Sequence, residues 1–316
     1  MWLSDQALNQ LQRALDRPDL SGTKYEILEE IGRGGMGAVY RARDAELDRE
    51  VALKVLHQPE KSKGVAARML REARILARLE HPSIVPVHDV GTLPDGRVFY
   101  VMKRVEGRRL DQFRSSAPGL SHLLRVFEKI CEAAAFAHSQ GVIHRDLKPE
   151  NIMVGSFGEA LVMDWGVAKV LADRSTTPSS AFDPTGVGTA SGTVIGTPGY
   201  MAPEQARGEV DQIDARADVF ALGAILTFLL EGRTDVPRPL RAIADKAMAA
   251  DRASRYASAQ ALGADVARFS ARLPVSAYRE NIWERAVRLF VRYRTPILLV
   301  LAYLVMRSLL LFFTGR

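Results

Sequence analysis

Cysteine is almost missing from this chain. Cys131 stands alone among 316 residues, which excludes an intramolecular disulfide framework and a cysteine-ligated zinc site and fits a reducing compartment. Neither charge nor apolar content is extreme: 47% hydrophobic and 25% charged residues exclude a disordered chain, a fibrous repeat and a polytopic membrane protein. No internal repeat recurs at a period of about 20–50 residues. Residues 1–10 hold Asp5 and lack both a cationic start and an apolar run, so no secretory leader is expected. A basic groove for nucleic acid is also lacking. The formal charge is +6, but seven Arg and two Glu from Arg279 onward account for +5, leaving about +1 for the body, so no nucleic-acid partner is expected.

What is present suggests two domains or one large bilobal unit, at about 150 residues per domain. Leu8, Leu11 and Leu15 at helical spacing predict a short amphipathic helix over 5–16, ended by Pro18 and Gly22. Alternating patterns predict strands over 25–31, 38–43, 51–56, 84–90 and 98–103, with a turn at Asp95-Gly96 before the last. One helix, over 65–79, interrupts them. After Gly107 the chain turns helical. Ser121 is the expected cap of a helix whose buried face carries Leu123, Phe127, Ile130, Ala134 and Ala137, with Gly141 as its stop. The nearly all-apolar stretch 219–230 predicts a buried helix, and further helices are expected over 240–250 and 257–269. Residues 173–198, rich in Ser, Thr, Gly and Pro, predict a long mobile loop. The fold class is therefore α+β, a strand-rich lobe followed by a helical lobe with a cleft between them.

Gly32-Arg33-Gly34-Gly35-Met36-Gly37-Ala38-Val39 matches G-x-G-x-x-G-x-V. A dinucleotide-binding turn would open a helix at the third glycine. Here a strand pattern follows instead, so a glycine-rich hairpin able to lie over phosphates fits better. Taken alone, the motif suits a purely structural turn equally well. Lys54, in Val51-Ala52-Leu53-Lys54, shares a strand face with Ala52 and can act as a point charge on phosphate, though a lone strand lysine is commonly just exposed. Glu72 on the following helix is placed to hold it. His144-Arg145-Asp146-Leu147-Lys148-Pro149-Glu150-Asn151 matches H-R-D-L-x-x-x-N at every fixed position, and Asp164-Trp165-Gly166 follows with room for a hairpin. Ala202-Pro203-Glu204 closes the long loop. Five ordered pieces with suitable intervening elements are not a coincidence.

On these residues the chain resembles the eukaryotic-like serine/threonine protein kinases of bacteria, over about residues 25–269. Gly34-Gly35-Met36-Gly37 resembles that branch in particular. The resemblance implies a bilobal kinase fold with ATP and Mg²⁺, or Mn²⁺ in its place, between the lobes. It implies that Asp146 orients the substrate hydroxyl, Lys148 steadies the transferred phosphoryl group, and Asn151 and Asp164 ligate the metal. Lys54 then contacts phosphates with Glu72 as its partner, beneath Gly32, Arg33, Gly34, Gly35, Met36, Gly37 and Ala38. Ile31, Val39, Ala52 and Met153 enclose adenine, with Met102 as gatekeeper. Glu204 is expected to pair with Arg255, and Asp218 to bond the backbone of the loop that carries Asp146. The implied reaction is transfer of the ATP γ-phosphoryl group to protein Ser or Thr hydroxyls, in signal transduction. Autophosphorylation in trans within a homodimer is part of that expectation.

Four departures accompany the resemblance. Trp165 stands where Phe is usual, and Lys103 and Arg104 where an acidic residue and an aromatic are common. Only 233–239 separates the buried helix from the next, where the family usually has a longer substrate-docking segment. The loop over 169–195 is long and offers Thr185, Thr189, Ser191 and Thr193 as phosphosites, with Arg145 as the phosphate partner. The short docking segment keeps a pseudokinase or scaffold as the alternative; the context of Lys148 argues against a small-molecule kinase.

The tail carries the last expectation. Residues 297–313 include twelve Leu, Ile, Val or Phe among seventeen, opposed by Arg307. Arg285, Arg288, Arg292 and Arg294 precede this run, so a single pass through the cell inner membrane with the kinase domain in the cytoplasm is expected. The chain thus divides into a helical extension (1–24), a kinase domain (25–270, lobes 25–105 and 106–270), a basic juxtamembrane segment (271–295) and a transmembrane helix (296–313).

Overall fold

The computed structural model describes residues 17–34, 37–56, 76–116, 119–165, 169–170, 199–209 and 213–314. The helix expected over 5–16, most of that over 65–79 with Glu72, and the loop 173–198 lie outside the described residues, as do Gly35 and Met36.

The first lobe is one antiparallel sheet. Its strands are β1 (Tyr25–Gly34), β2 (Gly37–Asp44), β3 (Arg49–Leu56), β4 (Val87–Thr92) and β5 (Val98–Lys103), in the spatial order β1-β2-β3-β5-β4. Alternation sorts its side chains. Val51, Leu53 and Val55 turn to one face and pack with Tyr25, Tyr40, Phe99 and Val101, each fully buried aliphatic contributing about 1.5–3 kcal/mol. Ala52 and Lys54 fall on the other face. The strand expected over 84–90 starts later, at Val87, because Pro86 cannot donate to a ladder. Ile84 and Val85 pair instead with Val162 of the second lobe and join the lobes.

The second lobe opens with β6 (Arg108–Arg109), α1 (Leu110–Ser115) and α2 (Leu120–Ser139). The cap of α2 is the backbone of Gly119, not the expected Ser121, but the buried face is the expected one and includes Cys131. Gly141, at φ 74°, takes the left-handed conformation that ends the helix. Next come β7 (Val142–Ile143), a 3₁₀ turn (Pro149–Asn151), the hairpin β8 (Ile152–Val154) and β9 (Ala160–Val162), and β10 (Lys169–Val170). The short α3 (Pro203–Ala206) precedes α4 (Arg216–Leu230), in which eleven of fifteen residues are buried, so this helix is enclosed rather than amphipathic. A Cβ on Gly223 would sit 2.7 Å from Ala247 Cβ, so glycine lets α4 close on α5 (Arg238–Ala247). Only residues 231–237 join these two helices. α6 (Ala259–Ser270), capped by Ser258, packs against α2.

The chain beyond α6 is fastened down. Asp265 accepts bonds from Ser276 N (2.8 Å), Ser276 Oγ (2.6 Å), Ala277 N (3.1 Å) and Tyr256 Oη (2.8 Å), while Val275 is buried. Burial pushes the Asp265 carboxyl up, but these donors outweigh it and hold it below its ordinary value. Asn281 and Glu284 then form a reciprocal cap (2.8 and 2.9 Å) for α7 (Ile282–Thr314). Helical geometry breaks at Tyr293 (φ −107°, ψ 17°), three residues before Pro296, whose ring displaces the preceding turn.

The transmembrane helix expected over 296–313 is not found as such: among the described residues no helix is long and apolar enough to cross a membrane. The described side chains of that stretch run from 298 to 310, all exposed.

Candidate active site

Three pieces of backbone converge where the lobes meet. The first is the glycine hairpin: β1 and β2 pair through Gly32–Val39, Arg33–Ala38 and Gly34–Gly37, so strand does continue beyond Gly37. Arg33 is bound back to Glu30 by two bonds (3.0 and 2.9 Å). Ala38 is buried in the outer core of the sheet, so only its backbone can serve a ligand. Ile31 is exposed, Val39, Met102 and Met153 are half-buried, and Ala52 is buried. The four accessible ones offer the apolar surface that a flat aromatic base requires.

The second piece is Lys54, 6% exposed, whose Nζ is ion-paired with Asp164. Burial pushes its ammonium down, yet Tyr100 and Asp164 outweigh that effect and leave its pKa raised. The pairing expected with Glu72 lies outside the described residues. Asp164 adopts a left-handed backbone (φ 56°), a strained conformation for a non-glycine residue, and the next residue fixes it. Trp165 is buried, donates from Nε1 to Val162 O (3.3 Å) and lies 4.7 Å from the His144 ring.

The third piece is the loop 144–151. Asp218, fully buried on α4, accepts from His144 N, Arg145 N and His138 Nε2, each at 2.8 Å. Burial raises this carboxyl, but His138 and the backbone donors bring it below its ordinary value, so it stays charged beneath the loop. Arg145 is forced to φ 70°, and Gln205 of α3 donates to its carbonyl at 2.8 Å. Gln205 was not foreseen from sequence. Arg145 Nε is buried and has no hydrogen-bond partner among the described residues. Burial lowers the pKa of that guanidinium.

Asp146 gathers the site. Lys148 Nζ lies 2.9 Å from its carboxylate, and Asn151 Nδ2 donates to its carbonyl at 2.8 Å. Met163 N donates to Asn151 O (2.8 Å), and His144 Nε2 to Met163 O (3.0 Å), clipping the loop to the strand that leads to Asp164. The structure thus brings together Lys54, Asp146, Lys148, Asn151 and Asp164. With Nδ2 bonded inward, Asn151 keeps Oδ1 as an acceptor, and Asp164 keeps its second carboxylate oxygen. Two hard oxygen donors fit a divalent cation completed by phosphate and water. Among the described residues no cluster of three or more His, Cys, Asp or Glu forms an all-protein metal cage.

The expected brace is also present. Arg255 meets Glu204 with two bonds, at 2.7 and 2.8 Å, both side chains buried.

The chain is similar to known proteins. The protein kinase domain family matches residues 25–266. The chain is 33% identical over 295 residues to the serine/threonine-protein kinase PknD of Protochlamydia amoebophila, covering 77% of this chain and 29% of that protein. It is 42% identical over 216 residues to the serine/threonine-protein kinase pkn3 of Myxococcus xanthus, covering 66% and 38%. It therefore spans about a third of the length of these relatives. Among solved structures, the PknI kinase domain of Mycobacterium tuberculosis superposes with a TM-score of 0.59 at 26% identity, over 78% of this chain and 96% of that one. The chain belongs to the protein kinase family, within its bacterial, eukaryotic-like serine/threonine branch.

Proposed function

We propose that the domain transfers the γ-phosphoryl group of ATP to Ser and Thr hydroxyls of proteins, with Mg²⁺ as the preferred ion. The observation that carries this reading is the setting of Asp146, whose carboxylate and carbonyl are held by Lys148 and Asn151 while the backbone of the two preceding residues is fixed by Asp218. Asp146 orients the incoming hydroxyl and accepts its proton; Lys148 screens the charge between them. Lys54 and the glycine hairpin bind phosphate oxygens, and Asn151 and Asp164 are the candidate metal ligands. The ion, when bound, neutralises charge developing on the phosphates. A scaffold without activity has no observation in its favour.

We extend the reading to the long loop. The buried Nε of Arg145, without a hydrogen-bond partner among the described residues, supports a role as the partner of a phosphate on that loop, placed there by a second copy of the chain. Purified protein incubated with ATP and Mg²⁺ should label a generic basic protein and acquire phosphate within 175–193. Mass spectrometry that finds labelled substrate but no loop phosphate rejects the autophosphorylation; no labelling of either rejects the kinase reading.

The tail reading is that residues 296–313 anchor the chain in a membrane with the kinase domain in the cytoplasm. Its support is the exposed, largely apolar run on α7, including Leu298, Leu301, Leu304 and Leu309 and interrupted by Arg307, together with the arginines that precede it. Alkaline carbonate should leave the chain in the membrane pellet, and protease added to intact cells should spare the kinase domain. Release by carbonate identifies a peripheral helix, and digestion from outside reverses the topology.

A further inference from the structure

We propose that Tyr100 is a positioning residue for Lys54, its phenol oxygen holding the ammonium where the phosphates must meet it. This rests on the proposed role of Lys54. Register puts the two residues directly opposite each other, Lys54 on β3 and Tyr100 on β5, so both side chains leave the same face of the sheet. Lys54 Nζ lies 5.9 Å from the centroid of the Tyr100 ring, at the outer limit of a cation–π contact. That separation leaves the ammonium beside the Tyr100 side chain, within reach of the phenol. Tyr100 is 7% exposed and, with Asp164, Met102 and Trp165, lines the small cavity behind the gatekeeper position. A phenol so deeply enclosed requires a hydrogen-bond partner, and Lys54 is the one the register supplies.

The arrangement has a mechanical advantage. A lysine ammonium rides on a flexible four-carbon stem and needs more than one partner to be held in one place. Asp164 grips it from the second lobe, across the cleft. Tyr100 grips it from the strand next to its own, within the same sheet. That hold is therefore indifferent to the position of the helix expected over 65–79 and of its Glu72.

Tyr100→Phe removes the acceptor and keeps the ring. In the full chain the KM for ATP should rise about tenfold while kcat falls less than about twofold, the pattern of a lost hydrogen bond to a charged group used in binding. The melting temperature should stay within about 2 °C of the parent, because the packing is retained. A second readout needs no nucleotide. Acylation of Lys54 by an amine-reactive ester in the nucleotide-free protein, followed by peptide mass spectrometry, should accelerate about threefold or more once the oxygen is gone. An unchanged acylation rate, an unchanged KM in active enzyme, or a kcat loss that tracks a falling melting temperature each overturns the proposal. If the parent transfers no phosphate, the kinase reading fails, and acylation alone still decides whether Tyr100 holds Lys54.

Discussion

Asp146→Asn is expected to lower phosphotransfer by about 10³-fold, within the range for loss of a general base. That is roughly 4 kcal/mol of transition-state stabilisation, with ATP affinity changed by less than about threefold. The substitution is nearly isosteric. The carbonyl that receives Asn151 Nδ2 belongs to the backbone, and the new amide oxygen still accepts from Lys148, so the loop should keep its shape. Basicity is removed, together with the negative charge paired with Lys148. Nucleotide contacts lie elsewhere, on Lys54 and the glycine hairpin. Steady-state kinetics, beside the ATP-induced rise in melting temperature, separate the two effects. A variant that retains full activity removes Asp146 from the mechanism, and one that also loses ATP binding shows that the loop had collapsed.

The largest effect on stability should come from Arg255→Met. The Arg255 side chain is fully buried and binds Glu204 twice, and it also donates to the carbonyls of Ala249 (2.8 Å) and Arg216 (3.0 Å). Removing it strands a carboxylate in the interior, at a cost of about 3–5 kcal/mol. For a domain of this size that corresponds to a melting temperature lower by on the order of 10 °C. The pH dependence should reverse as well. In the parent, burial raises the Glu204 carboxyl, but Arg255 outweighs it, so its folded pKa lies below its ordinary value. That contribution is complete above the unfolded pKa and fades as pH falls through the folded one. Without Arg255, burial, the largest effect, is opposed only by a backbone hydrogen bond and the charge of Arg207. The folded pKa then lies above the unfolded one, and the variant gains stability relative to the parent as pH falls from 8 toward about 5. Calorimetry across that range checks the sign. An equal deficit at every pH would mean that Glu204 finds another partner or water.

Much of this architecture was legible because short patterns carried it. β5 begins and ends where alternation put it, and α4 is enclosed as its unbroken apolar composition required. Glu204–Arg255 and Asp218 followed from the family resemblance, since both are fixed by motifs at either end of the contact. Tyr100 was hidden for a physical reason. Along the chain it is one aromatic in an interior strand, and only the pairing of β3 with β5 reveals that it faces Lys54. Gln205 was hidden likewise: its bond to Arg145 spans 60 residues and has no local signature. Helix ends moved by a few residues. α5 starts at Arg238, after Pro237 and with Pro239 in its first turn, and it stops at Ala247 rather than continuing to 250.

The grip of Asp265 on residues 276 and 277 has a consequence for how this kinase is aimed. A free linker of about ten residues would let the two ends wander over roughly 17 Å. Here three bonds from residues 276 and 277 to one carboxylate, a buried Val275 and a bond from Tyr278 to Glu284 remove that slack before α7 begins. The catalytic lobe is mounted on its tail like a lamp on a bracket, not a buoy on a rope. Whatever seizes the first part of α7, before the break at Tyr293, turns the cleft with it, so the reach of Asp146 is an arc set by the tilt and rotation of that segment.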